Sequence, residues 1–206
     1  MTQFPMALAK LPEMISLNIS NNSQWSAEEV YKGLDAIANG PAKEKLQILY
    51  VRDNNLREVP ESFRNLKKIG LLDLAQNQIE TIHPLGKEVA PVKLYFDNNK
   101  LTSLPADGNG LFCTMDDIET FSATYNKFTK FPNIFSAKSK FTIGEVDFSY
   151  NEIDGFEGEE DGTFRGLNIE QLSLAANKFT KFPKCLGTTG SLVAYIILRG
   201  NMIDEI

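Results

Sequence analysis

The sequence predicts an α/β repeat protein in which one short coil is stacked on the next along the whole chain. Three observations predict it. The frame LxxLxLxxNxL recurs along the 206 residues, as LQILYVRDNNL (46–56), IGLLDLAQNQI (69–79), IGEVDFSYNEI (143–153) and IEQLSLAANKF (169–179). Inside it the apolar letters alternate with period two, the signature of a strand with one buried face. Looser copies complete a set of eight asparagines, Asn22, Asn54, Asn77, Asn99, Asn126, Asn151, Asn177 and Asn201, separated by 32, 23, 22, 27, 25, 26 and 24 residues. Self-similarity at that period means that no coil buries its apolar face alone and that neighbours supply the core.

Each strand element follows from the frame. The fourth and sixth letters point one way and the third, fifth and seventh the other. The first set is core: Leu49 with Val51, Leu72 with Leu74, Leu94 with Phe96, Val146 with Phe148, Leu172 with Leu174 and Ile196 with Leu198. Each such side chain contributes about 1.5–3 kcal/mol when fully buried. The asparagine stands where the chain turns away from the strand and leaves backbone groups facing the interior. A carboxamide donates and accepts at once, so stacked asparagines are expected to form a ladder, with each orphaned group costing about 1–3 kcal/mol.

These residues resemble the leucine-rich repeat family, and the resemblance runs from Phe4 to Ile206. A second half-frame is present as LREVPESFRNL (56–66) and, in a phenylalanine-rich form, as FTKFPNIF (128–135) and FTKFP (179–183). The resemblance implies a right-handed, horseshoe-shaped solenoid: a parallel sheet on the concave side, with helical, 3₁₀ and extended pieces on the convex side. Pro91 replaces the first apolar letter of the fourth copy and Ala123 the sixth-position residue of the fifth, so those rungs are the weakest in the pattern.

Three excursions interrupt the spacing. SAEEVYKGLDAIANGP (26–41) predicts a convex helix, with Ser26 and Glu29 as a capping box, Gly40 and Pro41 as its stop, and Val30, Leu34, Ile37 and Ala38 on one face. PADGNGLFCTMDD (105–117) has the composition of a loop. DGFEGEEDGTFRG (154–166) is acidic. Its Glu157, Glu159, Asp161 and Gly162 are similar to the opening of a calcium loop, but the twelfth place is Asn168 where a bidentate Glu is needed, so a solvated loop is expected. Cys113 and Cys185 stand about three ladder steps apart, roughly 14 Å at ~4.8 Å per strand. A disulfide spans at most ~7 Å between Cα atoms, so two buried thiols are expected.

With 42% hydrophobic and 23% charged residues the chain is long enough to bury one continuous core, and a single domain over 1–206 with about eight repeats is expected. No apolar run reaches the ~18 residues of a membrane span, and no charged-then-apolar leader opens the chain. FPMAL (4–8) aligns with FPKCL (182–186), the back half of a repeat, and VAYIILRGNMI (193–203) has no convex half after it. The phase therefore predicts an excerpt of a longer protein, cut at both ends.

Catalysis finds no support in the letters. The single histidine, His83, sits on a turn leaving the third repeat. No Ser/His/Asp or Cys/His set, metal-ligand spacing or phosphate-cradling loop accompanies it, so neither an enzyme nor a metal or cofactor site is expected. Binding is the sharper reading. Outward columns carry Tyr50, Arg52, Asp73, Tyr95, Asp97 and Asp147, and the eighth frame position adds Tyr125 and Tyr150, which are also placed to stack on each other. Tyrosine supplies rigid amphipathic contact area. Asp53, Asp73, Asp97, Asp147, Glu145, Glu119 and Glu170 outnumber Arg52, Lys93 and Arg199 on this face, and the whole chain carries −6. That balance disfavours nucleic acid and predicts a protein partner of neutral or basic surface. A glycan or adhesion ligand is the alternative, with tyrosines as stacking platforms and Asp97, Asn98 and Asp147 as hydroxyl partners. The irregular spacing and phenylalanine-rich half-frames most resemble bacterial cell-surface or secreted members of the family, which implies an extracellular or surface location.

Overall fold

The computed structural model describes residues 3–204 apart from 84, 86, 87, 106–117, 136–142, 161, 165 and 188–190. Eight strands follow the predicted frame: β1 (Ser16–Asn18), β2 (Ile48–Tyr50), β3 (Leu71–Asp73), β4 (Lys93–Tyr95), β5 (Thr120–Ser122), β6 (Ile143–Asp147), β7 (Asn168–Ser173) and β8 (Leu192–Ile197). They pair in parallel and in chain order. The register joins Leu17, Leu49, Leu72, Leu94, Phe121, Val146, Leu172 and Ile196 into one row, so the fourth frame position of every coil lies over that of the next.

The interior is built from that row and the sixth-position row, Val51, Leu74, Phe96, Ala123, Phe148 and Leu174, all buried. The two irregular rungs hold. Pro91 is buried in its place, and beside the small Ala123 the Phe121 ring packs on Phe96, Phe135 and Phe148 at 6.1, 5.2 and 5.6 Å between centroids. The phenylalanine-rich half-frames fill the convex interior in the same way. Phe131 meets Phe135, Phe148 and Phe156 at 5.3, 5.2 and 4.9 Å, edge-on or tilted, as ring quadrupoles prefer. The predicted rung of Ile196 and Leu198 is only partly core: among the described strands β8 pairs with β7 alone, and Ile196 is 37% exposed.

On the convex side a helix, α1 (Ala27–Asn39), fills the first long spacing. Ser26 accepts the Glu29 N–H and the Glu29 carboxylate returns to the Ser26 N–H, the predicted capping box. Its buried stripe is Val30, Gly33, Leu34, Ile37 and Ala38. Gly33 is there because the Phe4 ring occupies the space of a β-carbon, 2.3 Å from where one would sit. The Tyr31 hydroxyl pins α1 to the second coil, accepting the Arg57 and Glu58 N–H groups at 2.8 and 2.9 Å and donating to the Glu58 carbonyl at 3.2 Å. Later coils use 3₁₀ turns instead, at Glu61–Asn65, Asn133–Phe135 and Lys184–Gly187.

The asparagine ladder forms as the frame requires. Asn77 donates to the carbonyl of Val51 in the preceding coil at 2.8 Å and accepts from the Asn54 and Leu56 N–H groups at 3.0 and 3.1 Å. Asn99, Asn126, Asn151, Asn177 and Asn201 repeat the pattern. The ladder stops at Asn54, whose Oδ1 is buried without a partner. The first coil turns differently after its asparagine, with the Trp25 N–H closing on the Asn22 carbonyl before α1 begins, so no N–H is offered there.

The loop at 105–117 and Cys113 lie outside the described residues, apart from Pro105. Cys185 is a buried thiol, and burial, then the nearby Glu159, pushes its pKa up to about 12. The carboxylates of the acidic loop turn to neighbouring coils. Asp154 pairs with Lys130 at 2.9 Å, while Glu157 and Glu159 accept the Asn133 and Cys185 N–H groups at 3.0 and 3.2 Å.

Candidate functional site

The concave face is the surface on which the sequence-predicted residues converge. Parallel register sets Tyr50, Asp73 and Tyr95 side by side on β2, β3 and β4, and Ser122, Asp147 and Ser173 continue the row. The structure divides the eight candidates by what each side chain already does.

The aspartates serve the sheet first. Asp73 is only 4% exposed. Its Oδ1 accepts the Ala75 N–H at 3.0 Å and its Oδ2 meets Arg52 at 3.3 Å, so it supports Arg52 rather than facing a partner. Burial pushes its carboxyl above the usual value, with the Ala75 N–H and Arg52 pulling the other way. Asp147 caps the Ser149 N–H at 2.8 Å just as Asp73 caps Ala75, and Asn18 does the same for Ser20 at 3.0 Å. A fifth-position Asp or Asn thus satisfies the N–H two residues on, the geometry of an Asx turn. Asp97 accepts from the Ser122 hydroxyl and from the N–H and hydroxyl of Thr124 at 2.8 and 2.7 Å.

The tyrosines are freer. Tyr50 and Tyr95 are half-buried, flanking Asp73. Tyr125 and Tyr150 are 54% and 47% exposed and stack on each other, 4.3 Å between centroids and 5° between planes. Loss of solvent and then the Tyr150 hydroxyl beside it push the Tyr125 phenol above its ordinary value.

One determinant is invisible in the frame. Every eighth-position residue is left-handed: Asn21, Asp53, Gln76, Asn98, Tyr125, Tyr150, Ala176 and Gly200 have φ between 50° and 72°. Only glycine and asparagine adopt that conformation readily. The others are held in it because their N–H groups bond to the next coil, as from Tyr125 to the Ser149 carbonyl at 3.1 Å and from Tyr150 to that of Ala175 at 2.9 Å. The tyrosine pair therefore stands on a turn at the rim of the sheet.

Two shallow cavities open between the later coils. One, of about 400 Å³, is lined by Tyr150, Asp147, Gln171, Ser173, Ile197 and Arg199 among others. The other, of about 250 Å³, is bordered by Glu119, Glu145, Glu170 and Tyr195. Lys93 neutralises Glu119 at 3.0 Å, and Gln171 donates to Glu145 at 3.1 Å. His83 contacts Glu58 at 3.1 Å, away from these residues along the turn after Thr81. Among the described residues no group of three or more His, Cys, Asp or Glu is gathered as a metal site, and no helix is long and apolar enough to cross a membrane.

Comparison with known proteins agrees with this geometry. The family model for the Leucine Rich Repeat matches residues 45–66. A leucine-rich repeat protein from Bacteroides eggerthii superposes with a TM-score of 0.82 and 36% identity, covering 100% of this chain and 34% of that one. A second, from Bacteroides thetaiotaomicron, gives 0.77 and 34%, covering 98% of this chain and 25% of that one. Human lumican is 29% identical over 171 residues, 78% of this chain and 47% of that protein. The chain thus spans about half the length of such curated relatives and a third or less of these bacterial structures. With its repeat frame, asparagine ladder and parallel register, the chain belongs to the leucine-rich repeat family.

Proposed function

We propose that this solenoid is a ligand-recognition module that grips a protein partner on its concave face and performs no chemistry of its own. The family supports a protein-binding role in general. The observation that carries the face is the set of four tyrosines on it, the partly exposed Tyr50 and Tyr95 on the rigid sheet and the more exposed Tyr125 and Tyr150 at its rim. Rigid aromatic anchors lose little entropy on binding. Arg52 and Asp97 supply polar contacts between them, Asp73 holds Arg52 in place, and Asp147 extends the face toward the last coils. The excess of carboxylates selects a partner of neutral or basic surface. A single domain, part of a longer surface or secreted protein, is the setting we infer, and the likeness to lumican favours an extracellular location.

The test is capture of partners at two salt concentrations. A basic partner is expected to bind more weakly as salt rises from 50 to about 500 mM, and Tyr50→Ala with Tyr95→Ala is expected to weaken it about tenfold or more. Equal affinity in the folded double variant refutes the tyrosine face.

A further inference from the structure

Beyond the protein-binding reading, the eighth-position column changes character at Tyr150. Large residues, Tyr125 and Tyr150, give way to Ala176 and Gly200. Because the two rings are parallel and 4.3 Å apart, close to the spacing of successive coils, their faces are turned along the solenoid axis. The stack therefore ends at the far face of Tyr150, above a coil that offers only a methyl group at that height. On the concave side of the pair, toward the last two coils, opens the cavity of about 400 Å³, bordered by Tyr150, by Tyr125 and by Ala175.

The polar lining is balanced. Asp147 reaches it from β6 and Arg199 from just beyond β8. Asp147 has committed Oδ1 to the Ser149 N–H, and Gln171 has committed its amide nitrogen to Glu145, so an oxygen of each is left as acceptor, with Arg199 as donor. A fixed cation at this place would face Arg199, and a fixed anion would face Asp147. A hydroxyl, which donates and accepts at once, is matched by both.

We propose that this cavity is a carbohydrate subsite, in which a neutral pyranose ring stacks on the open face of Tyr150 as the next member of the Tyr125–Tyr150 column while Asp147, Gln171 and Arg199 bond its hydroxyls. The weakly positive C–H face of the sugar meets the negative face of the phenol ring. The site is shallow, so affinity is low and rises with chain length as further rings reach the floor of the last two coils, away from Tyr50 and Tyr95.

Saturation-transfer NMR on the whole chain tests this, with cello-, xylo-, chito- and malto-oligosaccharides of six rings as probes and an arginine-rich peptide as the competing ligand class. At least one oligosaccharide is expected to bind through one ring face. Tyr150→Ala is expected to weaken it about tenfold while Tyr150→Phe, which keeps the stack, retains most of it. Alanine is native at the equivalent place in the next coil, Ala176, so the variant folds. Tyr50→Ala with Tyr95→Ala is expected to leave sugar binding unchanged, which separates this site from the protein interface. Transfer to none of the sugars, undiminished binding by Tyr150→Ala, or binding of the peptide alone overturns the proposal, and the last outcome assigns the cavity to the protein interface.

Discussion

Asn77 and Asn54 occupy the same frame position and carry the same side chain, yet their energetic roles differ. The Asn77 oxygen receives two buried N–H groups from the preceding coil, whereas the Asn54 oxygen receives none. Asn77→Ala is therefore expected to destabilise by about 1–3 kcal/mol more than Asn54→Ala, since only the former orphans donors. Urea unfolding followed by circular dichroism measures the difference, and equal losses would refute the ladder argument. Asp73 makes a second prediction. Its folded-state pKa lies above the ordinary 3.8, so the folded chain holds that proton more tightly than the unfolded chain does. The stabilisation is fully present below 3.8 and is lost as pH rises through the higher folded-state value. The melting temperature of the wild type relative to Asp73→Asn is therefore expected to fall as pH is raised from below 3.8 toward neutrality. A difference that grows over that range would show that Arg52 outweighs burial.

At the scale of elements, α1 depends on a hole and a pin. Gly33→Ala forces a methyl group into the Phe4 ring and is expected to cost about 1–3 kcal/mol, as overpacking does. Tyr31→Phe removes the hydroxyl that bridges α1 to the Arg57 and Glu58 backbone, and faster amide exchange at those two residues is the expected readout. The capping box and apolar stripe of α1 were legible in sequence because they are local, set by residues three and four apart. Gly33 was not. Its reason is Phe4, distant in sequence and brought into contact only when the helix docks.

For the molecule as a whole, the protein-binding role we propose rests on a face rather than on a pocket. Stacking coils in register converts a vertical column of the sequence into a row on the surface, so each coil contributes one or two side chains and no coil is sufficient. The tyrosines and carboxylates of the concave rows were legible as columns. The stack of Tyr150 on Tyr125 was legible too, but the division of labour among the carboxylates was not, because it depends on neighbours about 25 residues away: Asp73 turns to Arg52, and Asp97 to Ser122 and Thr124. Raising salt is expected to weaken a basic protein partner and to leave a neutral sugar unaffected, so one titration separates the two ligand classes.

The sequence by itself determined the repeat frame, the two interior rows, the asparagine ladder and the helix in the first long spacing. Each is encoded by periodicity or by contacts within a few residues. The left-handed rim, the burial of Asp73 and the partnerless oxygen of Asn54 were decided only by tertiary structure. The reason is the regularity of the bonds involved. Helix and cap are closed along the chain, and strand and ladder, though bonded between coils, follow a period that every coil repeats, whereas these features depend on which carbonyl, carboxylate or side chain the adjoining coil happens to present.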